Sequence, residues 1–252
     1  MKKFSIALFL LLAFVLLPSS AHAITYAQFA IGGGYESVIL VSNKTGFPWN
    51  GRIYVMRDYN QRWQGQWAIN GQNFSGMDAA NFSLNPHASG KYRITGDSVT
   101  RSGDLEIDGE VGFSTLDIAV SYFYEVRSNG VLMDTVGDSP SAWGDGFALA
   151  VEKTATVNTG LAWCPSWRFS SNVFLLNLTL YDQDGNVARQ KSVTFNGHAA
   201  QFIDQIFIDL PASFRGYLRI DAQDYIYLTV LRMESTPTGW QFTSTPADDY
   251  VR

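Results

Sequence analysis

The chain has 252 residues, of which 46% are hydrophobic and 14% aromatic against only 16% charged, with a formal net charge of −5. That balance excludes a disordered chain, which would be poor in aromatics and rich in charge. The acidic sign excludes the basic footprint that neutralises phosphates, so no nucleic-acid partner is expected.

The N-terminus opens with Met1-Lys2-Lys3, continues as an almost unbroken apolar run over residues 4–17, and breaks at Pro18-Ser19-Ser20 before Ala21-His22-Ala23. A positive start, an apolar run and small residues two apart are the features that secretion and signal peptidase read. The run is shorter than the ~20 residues a membrane-spanning helix needs. Cleavage is expected after Ala23, with Ala21 and Ala23 in the peptidase's small pockets, so that residues 1–23 are a signal peptide. Loss of Lys2 and Lys3 leaves 229 residues with 16 basic and 23 acidic side chains, a net of −7. No later segment is apolar enough to span a bilayer. The expected location is secreted, periplasmic or at the cell surface.

In chain order, residues 37–41, 52–56, 116–126, 173–181 and 225–233 are rich in β-branched and aromatic residues and are bounded by Gly, Asn, Asp and Pro. Leu105-Glu106-Ile107-Asp108 and Tyr217-Leu218-Arg219-Ile220-Asp221 alternate apolar and polar, as strands with one wet face do. Helical periodicity is confined to 202–210, where one short turn is expected. Cys164 is the single cysteine, which rules out an intramolecular disulfide, and its neighbours Leu161, Ala162 and Trp163 predict burial. The fold class expected is all-β.

Four segments recur in the same order. Phe29-Ala30 answers to Phe147-Ala148, Met56-Arg57-Asp58 to Leu180-Tyr181-Asp182, residues 82–88 to 193–199, and residues 102–108 to 215–221. Two tandem antiparallel β-sandwich domains of immunoglobulin-like size are expected, copy one at 24–142 and copy two at 143–252. They meet near Ser139-Pro140-Ser141-Ala142 and pack through the Trp143 region.

From Asp58 to His87 is 29 positions and from Asp182 to His198 only 16, so copy one carries 13 extra residues. In copy two, Asp182-Gln183-Asp184-Gly185-Asn186 reads as a tight hairpin turn. In copy one, residues 59–79 replace it and hold Trp63, Trp67 and Phe74 among Gln, Asn and Gly. Insertions on a β-scaffold are where binding is commonly added, which makes Trp63, Trp67 and Phe74 the candidate ligand-binding residues. Simple packing of the inserted loop is the first reading of these rings; exposed among amides, they also suit sugar stacking or a protein interface. With copy two as template, the Trp49 loop and the His87 turn lie at one end of the first sandwich and the insertion at the other. The remaining tryptophans, Trp143, Trp163, Trp167 and Trp240 among them, are expected mostly in cores or between domains.

Residues 27–35 (Ala27-Gln28-Phe29-Ala30-Ile31-Gly32-Gly33-Gly34-Tyr35), Ile39-Leu40-Val41-Ser42-Asn43, Asn158-Thr159-Gly160-Leu161-Ala162, the turn at 182–187 and the closing 210–216 resemble exported bacterial proteins built from tandem immunoglobulin-like β-sandwich repeats. The resemblance covers most of the mature chain. It implies a fold and an extracytoplasmic location and no catalytic residues. The aromatic insertion and Trp163-Cys164-Pro165-Ser166-Trp167 depart from that group.

Catalytic chemistry finds little footing. His87 and His198 fall at the same place in successive copies, which suits a turn residue in each and not a clustered metal site. No Gly-x-Ser-x-Gly elbow is present. Gly32-Gly33-Gly34 precedes a strand, so it reads as a turn and not a phosphate cradle. Asp182-x-Asp184-Gly185-Asn186 begins like a calcium loop, but the twelfth position is Val193 where a Glu is required. Glu106, Asp108 and Glu110 share one strand face, whereas glycoside hydrolysis needs two carboxyls ~5 to 9 Å apart across a cleft.

No enzyme, cofactor or metal is therefore expected. The function expected is an exported non-enzymatic surface, adhesion or structural binding module, with a glycan or a cell-surface protein as candidate partner. A carbohydrate-binding module using Trp63 and Trp67 is the alternative. A surface hydrolase and an outer-membrane β-barrel, which would need an outward apolar band, rank lower. N-terminal sequencing of the exported protein is expected to begin at Ile24; a product still carrying Met1 overturns the signal reading.

Overall fold

Strands with one apolar face bury it by pairing into sheets and packing the sheets face to face. The computed structural model describes residues 23–56, 66–69, 72–75, 79–110, 112–166, 173–237, 239–245 and 247–249. The N-terminal strands are β1 (Ile24–Ile31), β2 (Tyr35–Asn43), β3 (Trp49–Met56), β4 (Gln66–Ile69), β5 (Gln72–Ser75), β6 (Ala80–Leu84), β7 (Ser89–Thr95), β8 (Arg101–Gly109), β9 (Ile118–Ser128) and β10 (Val131–Asp138). Among the described residues they form two antiparallel sheets, ordered β1-β8-β3-β6 and β10-β9-β2-β7-β4-β5. Tyr26, Phe29, Trp49, Ile53 and Leu105 from the first sheet meet Ile39, Val41, Ile94 and Tyr122 from the second in one core. The strand expected at 116–126 begins at Ile118, because Thr115–Asp117 forms a 3-10 turn whose Leu116 N–H donates to Ser114 Oγ.

Trp49 anchors this core. Its ring is 1% exposed, its Nε1 donates to the Ser114 carbonyl at 3.1 Å, and Phe82 and Phe113 pack on it. The indole lies over Gly51, where a Cβ would sit 2.2 Å from the ring.

The C-terminal elements are β11 (Ala142–Lys153), β12 (Val157–Pro165), β13 (Phe174–Asp182), β14 (Val187–Phe195), β15 (Ala199–Phe202), α1 (Ile203–Ile206), β16 (Phe214–Thr236), β17 (Gly239–Thr245) and β18 (Asp248–Asp249). The helical turn α1 falls within the segment expected for it. The strand β16 runs 23 residues and belongs to two ladders. Its first stretch, 214–222, lies between β11 and β13. Its second, 226–236, pairs with β12 on one side and, on the other, first with Ala142–Gly144 of β11 and then with β17. Exposed Gln223, Asp224 and Tyr225 mark the crossing. Phe147, Leu176, Leu178, Leu218, Ile220 and Ile226 are at the centre of a second core.

The pairings recur. The order β1-β8-β3-β6 returns as β11-β16-β13-β14, and β10-β9-β2-β7 returns as β17-β16-β12-β15. Leu84 sits opposite Trp49 as Phe195 sits opposite Phe174, which agrees with the match of 82–88 to 193–199. Two other sequence matches need correction. Ile24, not Phe29, stands opposite Ile107 as Phe147 stands opposite Ile220. Met56, opposite Asp104, takes the place of Tyr181, opposite Tyr217, and not that of Leu180. A one-residue slip moves a side chain to the other face, so ladder register overrides resemblance between short apolar strings. The strand order also departs from the immunoglobulin one, in which the first two strands are sheet neighbours. Here β1 and β2 lie in different sheets, joined by the turn at Gly32, Gly33 and Gly34, all at positive φ.

Asp138 ends β10 and Ala142 begins β11. Between them, the Ser141 N–H donates to the Thr25 carbonyl at 2.9 Å. Its Oγ accepts from the Ala27 N–H at 2.6 Å and lies 2.6 Å from Thr229 Oγ1. Phe242 of β17 packs against the N-terminal core. Trp143, expected at this junction, is instead 48% exposed and stacks on Tyr225 with ring centroids 4.5 Å apart. Among the described residues no helix is long and apolar enough to cross a membrane.

Gly51→Ala is expected to lower the urea-unfolding free energy by about 1–3 kcal/mol, the range for overpacking a filled core. An unchanged midpoint would show that the Trp49 ring moves aside freely.

Candidate binding surface

Within residues 59–79, expected as a polar inserted loop, Gln66–Ile69 and Gln72–Ser75 form strands. The strand β4 pairs with β7 through Ala68 opposite Thr95 and Ile69 opposite Ile94, and β5 forms the outer edge of that sheet. Trp67 stands directly opposite Phe74 in the β4–β5 ladder. Trp63 lies outside the described residues, as do Ala21 and Trp167. The hairpin joins β7 at its Thr95 end, while the His87 turn precedes Ser89 at the other and touches the loop before Trp49 through His87 N–H to the Thr45 carbonyl, 3.1 Å. The hairpin and the His87 turn therefore stand at opposite ends of β7.

A second surface was not singled out in the sequence. Along the outer face of β11, β16 and β13, a groove of ≈ 950 Å³ opens over Ala148, Ala150, Gly216 and Tyr217, with Arg215 and Arg232 at its border. Tyr217 pairs across the sheet with Tyr181 on one side and Ala150 on the other. The two tyrosine rings are parallel within 3° at 4.5 Å, and Tyr217 is 41% exposed. Desolvation, then the adjacent Tyr181, raises the Tyr217 hydroxyl above its ordinary pKa. The sequence signal available was a tyrosine at the polar phase of an alternating strand, where Arg219 and Asp221 follow it outward.

The acids of these faces are tied up. Glu152 accepts from Arg215 at 2.7 Å and faces Arg232 at 3.6 Å. Asp182 Oδ1 accepts the N–H groups of Asp184 and Asn186 at 3.0 and 2.9 Å, which makes it the staple of the 182–186 turn and accounts for its calcium-like spacing. On the N-terminal part, Arg93 and Arg127 each bridge Glu36 and Glu125. Burial raises the Glu125 pKa, but hydrogen bonds from both guanidiniums outweigh it and hold the carboxyl below its usual value. Glu110 pairs with Arg52 at 3.7 Å. The strand β8 that carries Glu106 and Asp108 is internal, between β1 and β3.

His87 occupies a turn at φ 56, with Ala88 N–H donating to the Asn85 carbonyl at 3.0 Å; the matching turn places its positive φ one residue earlier, at Gly197. His198 and Cys164 are buried. No protein-family model matches the chain, and neither does any curated protein.

One buried acid differs from the paired ones. Asp138, at the junction, is 8% exposed among the Tyr26, Tyr122 and Tyr124 hydroxyls. Burial pushes its pKa up to about 7 against hydrogen bonds from Ser244, the Ser139 backbone and Tyr124. An acid whose folded pKa is raised holds more protons folded than unfolded, so its contribution favours the fold at low pH and is lost on passing from ~4 to about 7. A tenfold change in proton affinity is ~1.4 kcal/mol, so the loss is on the order of 4 kcal/mol. Glu125 runs the other way, its contribution vanishing only as pH falls through its lowered pKa. Melting temperature is expected to decline between pH 5 and 8, and Asp138→Asn is expected to flatten that decline; an identical slope in the variant would exonerate Asp138.

Proposed function

We propose that the mature chain is an exported, non-enzymatic binding module of the cell surface or its surroundings, made of two copies of one sandwich unit. The observation that carries the reading is a contrast on the outer faces. Carboxylates there are neutralised across the strands by arginines, as Glu152 is by Arg215 and Arg232, while the Tyr181–Tyr217 pair stands open beside a groove. Ion-paired carboxylates are poor general acids or bases, because a neighbouring cation holds them ionised. Exposed rings beside a concavity are suited to hold a ligand.

Other observations support parts of this reading. The strand order of the N-terminal part recurs in the C-terminal part, as duplication requires. The first strand begins at Ile24, next to the expected cleavage point, so export would leave the sandwich whole. Trp67 opposite Phe74 on the edge hairpin favours a second contact surface, toward a protein or a glycan.

Incubated with cell-envelope and polysaccharide fractions, the purified mature chain is expected to co-sediment with at least one of them and to release neither reducing ends nor peptides. Release of soluble fragments above the buffer control, or retention on none of the fractions, would overturn the reading.

A further inference from the structure

The groove beside β11 has chemistry of its own. Its ionic lining is Glu152 and Asp182 against Arg215 and Arg232, two charges of each sign, and these are committed to one another or to the turn. A charged ligand gains nothing there. Tyr217 has one ring face covered by Tyr181, whereas its other cross-strand neighbour is the methyl of Ala150, which leaves that second face open above β11.

The backbone edge narrows the choice further. Glu152 N–H and C=O both meet Thr159 Oγ1, at 2.9 and 3.1 Å, on the side away from β16. Alternate residues of an antiparallel strand turn their peptide groups to the same side. Those of Ala148 therefore face β18, which pairs with it through Asp248, and those of Ala150 face the groove. An extended peptide adding to this edge would find Ala150 set between the positions that β18 and Thr159 already take. A cyclic polar ligand needs no more than that: one donor and one acceptor beside an aromatic plane.

We propose that this groove binds an uncharged glycan, with one sugar ring laid on the open face of Tyr217 above Ala150, its hydroxyls meeting the Ala150 peptide groups and the Gln183 amide. The C–H face of a pyranose is apolar and its rim is hydroxylated, which matches an aromatic wall with a polar edge. The inference rests on the binding-module reading and adds the site and the ligand class.

Affinity electrophoresis of the mature chain in gels holding a soluble β-glucan, a mannan, a xylan or the polyanion alginate tests it. Retardation is expected in at least one neutral gel and not in alginate. Tyr217→Ala is expected to weaken the neutral affinity about tenfold or more, since losing one stacked ring removes roughly the free energy of a tenfold change. Tyr217→Phe is expected to keep most of it, and Ala150→Trp, which fills the groove, to abolish it, with melting temperatures close to wild type. Retardation in alginate alone, no retardation in any neutral gel, or neutral binding that survives Tyr217→Ala overturns the groove assignment. If binding instead disappears in Trp67→Ala, the module reading stands and only the groove falls; turnover of the polysaccharide would sink both.

Discussion

The architecture of the C-terminal part depends on one strand being shared by two ladders. A strand can leave one layer and enter the facing one only where its backbone bends and its side chains keep their inward phase. In β16 that happens at the exposed Gln223-Asp224-Tyr225, with Leu218, Ile220 and Ala222 inward before it and Ile226, Leu228 and Val230 inward after it. The first stretch carries Arg215 and Tyr217 to the groove. The second carries Thr229 to Ser141 at the junction and holds β17, whose Phe242 packs on the other core. Surface, junction and core thus share one continuous backbone. In the N-terminal part the same two roles fall to separate strands, β8 and β9, joined through the 3-10 turn.

Sheet edges are an equally strong constraint, because an open row of peptide groups invites pairing with any other chain. The molecule treats its edges differently. At β11 the edge is met by β18 at Ala148 and by the Thr159 hydroxyl at Glu152, with Ala150 between them in the lining of the groove. At β7 the sheet is continued by the inserted hairpin, so that the edge passes to β5. The same scaffold therefore presents a short, blunted edge with an aromatic wall in one place and an added pair of strands in another.

Electrostatics separates the outer faces from the junction. Outside, arginines and carboxylates are paired across strands at separations where partial solvation keeps the cost of ionisation low. At the junction, Asp138 is surrounded by tyrosine hydroxyls and by Ser244, groups that hydrogen-bond without supplying a counter-charge. Its elevated pKa follows from that difference.

Much of this organisation is legible in local pattern. The alternation at 105–108 and 217–221, the recurrence of Asn-Pro-His-Ala and Asn-Gly-His-Ala, the Asp-Gly turn and the apolar neighbours of Cys164 each encode a local fact: a wet face, a turn, a buried thiol. Asn70-Gly71, between β4 and β5, is a two-residue hairpin signal that marks the inserted strands, though the richer signal of its aromatics reads as a loop. What local pattern lacks is register. Phe29-Ala30 and Phe147-Ala148 look alike as letters, yet the ladders put Ile24 in the place that Phe147 takes. Nor does it show that Trp143 lies half-exposed beside the junction, or that Tyr181 and Tyr217, 36 positions apart, share one outer face.

Sequence by itself determined the all-β character, the short helical turn, the 182–186 turn and the burial of Cys164, because period, turn chemistry and composition act over a few residues. Tertiary structure alone decided which strands are neighbours, which acids are neutralised, where a groove opens and which ring faces it. Those outcomes depend on pairing between segments far apart in the chain, and a ladder's register is set by the packing of two whole faces together.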